Sequence, residues 1–109
     1  MQLIIVIHAY FLMKKFYVIS YDLKTPGRDY SSLYDAIKSY QEWQHPLEST
    51  WIIYTEDSAD SISSSLRANG NMDNSDLLFV CALNINDRQG WLAKSVWAWM
   101  KDLEGNPSL

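Results

Sequence analysis

The chain has 109 residues, of which 48% are hydrophobic and 20% are charged, and its formal net charge is −4. This length and composition fit one folded domain and exclude wholesale disorder and a strongly basic nucleic-acid binder. A single cysteine, Cys81, excludes an intrachain disulfide framework and a thiolate-rich zinc site. The sequence therefore predicts a soluble domain of a reducing compartment, the cytoplasm.

Residues 1–12, MQLIIVIHAYFL, form an uncharged and mostly apolar N-terminal extension, which Lys14 and Lys15 follow. In a secretory signal the basic residues precede the apolar run, and a membrane-spanning helix needs roughly 20 residues. We therefore expect neither a secretory signal nor a membrane anchor. The sequence leaves open an added strand, an interfacial segment or a flexible extension, and it indicates that the domain proper begins at Met13.

The next two elements are a strand and a helix. Aromatic and β-branched residues predict a central strand over residues 16–21, which ends at Asp22 before the turn sequence Thr25-Pro26-Gly27. Apolar residues then recur at the spacing of one helical face, namely Tyr30, Leu33, Ile37 and Tyr40.

Two strands and a helix come next along the chain. Residues 42–44 predict a short strand that is broken at His45-Pro46, and residues 50–55 predict a longer one. Ser58 opens a helix that closes at Asn69-Gly70.

The last two predicted elements are a strand and a helix. The run DLLFVCAL over residues 76–83 predicts a buried strand in which Cys81 is a small core residue. A final apolar stripe predicts a helix, with Leu92, Val96, Trp97, Met100 and Leu103 on one face. Trp91, Trp97 and Trp99 cannot all point in one direction, so at least one is expected on the surface or in an interface.

This order of elements predicts an α+β fold. Two right-handed βα units give a ferredoxin-like split βαββαβ domain over residues 13–83, and residues 84–109 form a C-terminal helical extension. The first strand then lies between the third and fourth strands. Asp22, Ser49-Thr50 and Asp76 should therefore meet at one end of the antiparallel sheet.

Two segments of the chain resemble a known family. Residues 17–37, YVISYDLKTPGRDYSSLYDAI, resemble the start of the small bacterial proteins called SinR-like, and residues 47–53, LESTWII, resemble their second signature. Those proteins are similar to the small CRISPR-associated adaptation nucleases (Cas-two) and to VapD-type ribonuclease toxins. The resemblance covers about residues 16–83.

The resemblance implies a homodimer and a metal-dependent endonuclease or endoribonuclease. In the adaptation nucleases an aspartate at the end of the first strand faces its twin across the two-fold axis, and the pair can hold one Mg²⁺ or Mn²⁺; Asp22 matches this position. Ser49 approximately matches a serine early in the third strand that we assign to catalysis. Lys24 and Arg28 lie where basic residues would meet the phosphates of RNA or DNA.

Other residues at this end of the sheet have two interpretations. Asp76 is either a second metal ligand or a solvated carboxylate at the start of a strand, and Asp22 is either a ligand or a turn residue that accepts backbone hydrogen bonds. Tyr30, with Tyr21 and Tyr34, either stacks on bases or packs in the core. His45 is either an exposed turn residue or a general acid or base.

A second class of function fits the same sequence. Residues 13–83 contain six basic and ten acidic side chains, a balance that is unusual for gripping nucleic acid. The alternative to a nuclease is therefore a non-catalytic homodimeric module that binds nucleic acid or a protein partner in antiviral defence or a toxin–antitoxin system.

Overall fold

The computed structural model describes residues 13–105; the predictions for residues 1–12 and 106–109 lie outside the described residues. Within this range four strands form one antiparallel sheet and three helices pack on it, so the fold is α+β, as predicted. The elements are β1 (Lys15–Asp22), α1 (Ser31–Lys38), β2 (Glu42–Leu47), β3 (Thr50–Thr55), α2 (Ala59–Arg67), β4 (Leu77–Ala82) and α3 (Lys94–Gly105). None of these helices is long and apolar enough to cross a lipid bilayer.

The strand order in the sheet is β2-β3-β1-β4. Strand β1 is central, as predicted, because it pairs with β3 along one side and with β4 along the other. Ile19 lies between Trp51 and Val80, and Asp22 lies opposite Leu77. The end of β1 thus adjoins the start of β4, which lies more than 50 residues further along the chain.

One face of the sheet carries the main hydrophobic core. Because side chains alternate along a strand, every second residue of β1 and β3 points to this face. Helices α1 and α2 cover it with apolar stripes at helical spacing. The buried cluster includes Tyr17, Ile19, Tyr21, Trp51 and Ile53 from the strands, with Leu33, Ile37, Ile62 and Leu66 from the helices.

Helix α3 packs on the opposite face of the sheet. Its buried residues Val96 and Met100 contact Phe16 and Ile52. The Trp99 indole N–H also donates a 2.9 Å hydrogen bond to the carboxylate of Glu42 on β2. The C-terminal helix is therefore packed against the sheet.

The fourth strand forms as predicted, and Leu78 and Val80 pack against the main core, but the prediction that the strand is buried is wrong for its other face. Leu77 and Phe79 on β4 are 58% and 65% exposed, and Cys81 is exposed, so it is not a core residue. These side chains share a sheet face with the residues under α3, but α3 covers the part of that face near Phe16. An apolar sequence shows that burial is favourable, but it does not show whether another element reaches the strand.

Strand β2 is longer than predicted. It continues through His45-Pro46 to Leu47, with an irregular register between Gln44 and Leu47. Proline lacks the N–H that a ladder needs, yet it is tolerated on an edge strand, and β2 is at the edge of this sheet. The predicted start of α2 at Ser58 is confirmed: Ser58 is the N-cap, and its hydroxyl accepts a hydrogen bond from the Ser61 N–H. Trp91 is 99% exposed, which confirms that the tryptophans do not all face inward.

Candidate functional site

Asp22 ends β1 on the sheet face that α3 leaves partly open. Asp22 lies opposite Leu77 on β4. Ser20, two residues earlier on β1, lies opposite Phe79. The carboxylate forms a 2.7 Å ion pair with the Lys24 ammonium, and both side chains are about half exposed. Among the described residues the partner of Asp22 is therefore a lysine side chain. The turn at residues 25–28 is closed without Asp22, by a hydrogen bond from the Arg28 N–H to the Thr25 carbonyl.

An open apolar patch surrounds Asp22. We call it the open face and define it by Val18, Ser20, Leu77, Phe79 and Cys81, which alternate onto one side of β1 and β4. Near its end Ser20, Asp22, Leu77 and Phe79 line a depression of about 280 Å³. An exposed apolar surface on a sheet is typical of an interface.

Asp76 is buried, so the prediction of a solvated carboxylate is wrong. Its Oδ1 atom accepts hydrogen bonds from the Lys24 N–H at 2.7 Å and the Tyr30 hydroxyl at 2.8 Å. Its Oδ2 atom accepts one from the Asp73 N–H at 2.7 Å. Burial by itself raises the pKa of Asp76, but these donors and the charge of Arg28 outweigh it and lower the pKa below its ordinary value. Metal binding by Asp76 stays a prediction, and it would require these donors to be displaced.

Arg28 and Tyr30 connect the loop after β1 to the loop before β4. The Arg28 guanidinium donates to the Gly70 carbonyl and lies 3.7 Å from the Asp73 carboxylate. The Tyr30 ring is buried and has Arg28 at 5.2 Å from its centroid. Contacts of Arg28 and Tyr30 with nucleic acid stay predictions. Of the three residues predicted to bind nucleic acid, Lys24 is the most accessible.

Ser49 lies at the same end of the sheet as Asp22. It is exposed in the turn between β2 and β3, and its carbonyl accepts a 3.1 Å hydrogen bond from the Tyr21 N–H. Ser49, Asp22 and Tyr34 line a depression of about 280 Å³. The fold thus brings together the three predicted segments, although a catalytic role for Ser49 stays a prediction.

Sequence reasoning missed an aromatic cluster next to this depression. The His45 ring lies parallel to that of Trp51, with centroids 3.7 Å apart, and its Nε2 is 3.0 Å from the Glu48 carbonyl oxygen. The Trp51 indole N–H donates to the Tyr21 hydroxyl at 2.9 Å, and burial raises the pKa of Tyr21. His45 is exposed, as predicted, but it lies on β2 and not in a turn. Aromatic residues on two adjacent predicted strands were the available signal.

The donor chemistry at Asp22 fits a divalent metal only if two chains contribute. Mg²⁺ takes oxygen ligands and keeps several waters, so one or two carboxylates suffice. Among residues 13–105 there is no cluster of three or more histidine, cysteine, aspartate or glutamate side chains placed to hold a metal. One chain offers the exposed Asp22 carboxylate, and two copies facing each other would offer a pair.

Comparison of the chain with protein-family models, curated proteins and solved structures finds no significant match.

Proposed function

We propose that the chain works as a homodimeric, metal-dependent nuclease that hydrolyses phosphodiester bonds in RNA or DNA, as its resemblance to the SinR-like proteins and the adaptation nucleases implies. The observation that carries the proposal is the position of Asp22. Its carboxylate lies on the open face, directly beside the exposed Leu77 and Phe79. Any two-fold dimer centred on this end of the open face brings two Asp22 side chains close together.

The fold supports the resemblance on which the proposal rests. The strand order β2-β3-β1-β4, with α1 and α2 packed on one face, is the arrangement expected of a ferredoxin-like domain. We assign this topology to residues 13–83 and treat α3 as an addition on the other face.

The exposed side chains support the dimer. Burying apolar surface yields about 25 cal/mol per Å², so leaving Phe79 and Leu77 in water is costly relative to covering them. A second copy covers them with the same two side chains, because a two-fold interface presents identical patches to each other.

Asp22 and Lys24 divide the chemistry between them in this proposal. The paired Asp22 carboxylates would hold Mg²⁺ or Mn²⁺, which would supply polarisation of a phosphoryl oxygen or a water molecule. Lys24, released from its ion pair with Asp22, contacts the phosphate. To Ser49, in the adjoining turn, we assign the orientation of the scissile phosphate through its hydroxyl.

Cleavage of labelled oligonucleotides tests the proposal. Wild-type protein should cut RNA or DNA in Mg²⁺ or Mn²⁺, and Asp22→Asn should abolish cutting while the dimer mass is unchanged. Asp35→Asn, which alters an exposed carboxylate on α1, is the matched control and should cut normally. Metal-dependent cutting by Asp22→Asn at the wild-type rate would refute the assignment.

A non-catalytic dimeric module is the second candidate. Two observations favour it: Asp22 already has an ion-pair partner in Lys24, and the fully exposed Trp91 offers a hydrophobic anchor for a partner. This candidate predicts that neither wild type nor Asp22→Asn cuts the oligonucleotides. A cytoplasmic location and a role in defence or a toxin–antitoxin pair belong to both candidates as proposals.

A further inference from the structure

We infer that the depression beside His45 is a base-binding subsite for single-stranded nucleic acid, an inference that rests on the proposed nucleic-acid function. The depression measures about 270 Å³, and Tyr21, Tyr34, Lys38, His45, Glu48 and Trp51 line it. It lies on the helix side of the sheet, whereas the open face is on the opposite side. Covering the open face with a second copy therefore leaves this depression accessible.

The His45 ring is suited to stacking. One of its faces lies flat on the buried Trp51, and the hydrogen bond to the Glu48 carbonyl fixes its orientation. Because His45 is itself exposed, its other face is open to a planar group. Aromatic side chains held in this way bind the bases of single strands with little sequence preference.

The surroundings of His45 favour a base attached to a phosphate. Lys38 lines the same depression, and its ammonium, 5.7 Å from the ring centroid of Trp43, supplies a positive charge there. The depression next to Asp22 shares Tyr21, Tyr34 and Glu48 with this one, so the two adjoin. A strand with one base on His45 can therefore continue toward Lys24 and Asp22, which a free mononucleotide cannot do.

Binding of labelled single-stranded RNA and DNA oligonucleotides in EDTA, followed by fluorescence anisotropy, tests this inference without requiring cleavage. We expect His45→Ala to weaken binding about 10-fold, the loss typical of one base–aromatic stack. His45→Phe keeps a flat ring and should restore most of the affinity. Gln44→Ala, on the same strand but the opposite sheet face, is the matched control and should bind like wild type. Circular dichroism melting should show that all three variants are folded.

The outcomes separate this inference from the proposed nuclease. If Asp22→Asn and wild type both bind through His45 but neither cuts, the subsite stands and the nuclease fails. If the protein cuts but His45→Ala binds and cuts like wild type, the nuclease stands and the subsite is refuted. Absence of binding to every oligonucleotide, or equal competition by a mononucleotide, also overturns the inference.

Discussion

The hydroxyl of Tyr30 donates a 2.8 Å hydrogen bond to the buried carboxylate of Asp76, which lies 46 residues further along the chain. This bond joins the start of α1 to the start of β4. Together with the Lys24 N–H it holds the loop that leaves β1, and therefore the backbone beside Asp22, in place.

Removal of this bond should destabilise the protein without changing its shape. We expect Tyr30→Phe to lower the free energy of unfolding by about 2 kcal/mol, because hydrogen bonds to charged groups are among the stronger ones. Urea denaturation followed by tryptophan fluorescence measures the change. Tyr54→Phe, in a half-exposed position on β3, is the control and should change stability by less than about 0.5 kcal/mol. Equal effects of the two variants would contradict a special role for Tyr30.

Asp76 should also make stability depend on pH. Its pKa in the folded protein lies below the ordinary value of 3.8, so the unfolded chain binds the proton more tightly. The stabilisation is therefore complete above that ordinary value and is lost as the pH falls through the lowered pKa. We expect wild type to be more stable than Asp76→Asn at about pH 6, with a difference that shrinks toward about pH 3. A difference that grows on acidification would show that the sign is wrong.

Phe79 should control self-association. Phe79→Glu places a charge in the centre of the open face, and we expect it to convert a dimer to a monomer because burying an unpaired carboxylate is costly. Light scattering at one protein concentration measures the mass. Leu47→Glu, which alters a similarly exposed residue on β2, should remain dimeric. A dimeric mass for Phe79→Glu would show that the interface lies elsewhere.

Helix α3 should contribute to stability through its buried stripe. Met100 is 1% exposed, so Met100→Ala should cost about 3 kcal/mol by leaving a cavity over Phe16. Lys101→Ala, on the exposed side of the same helix, should cost less than about 0.5 kcal/mol. Thermal melting of both variants decides whether α3 is an integral layer of the fold, and a small loss in Met100→Ala would indicate that it is not.

Local sequence patterns predicted most of the secondary structure. The aromatic and β-branched runs of β1 and β3 have clear strand character, and Ser58 is a strong helix cap. These features depend on residues close together in the chain. The course of β2 through Pro46 was missed because proline is a break in a central strand but is tolerated at an edge, and edge position is a property of the whole sheet.

The candidate site was only partly predictable. Topology alone placed Asp22 next to the start of β4. The burial of Asp76 could not be predicted, because its three donors come from Lys24, Tyr30 and Asp73 and meet only in the folded protein. The exposure of β4 was equally hidden, because it depends on where α3 packs in the folded protein. The apolar run of β4 could not reveal that α3 stops short of Phe79.

The network around Asp76 links the loop after β1 to the edge strand β4. The Lys24 N–H and the Tyr30 hydroxyl both donate to Asp76, which directly precedes β4. These bonds to the loop that bears Lys24 therefore depend on β4 being paired with β1. Conditions that detach β4 from the edge of the sheet should therefore disorder the loop beside Asp22 first, while the pairing of β1 with β3 persists.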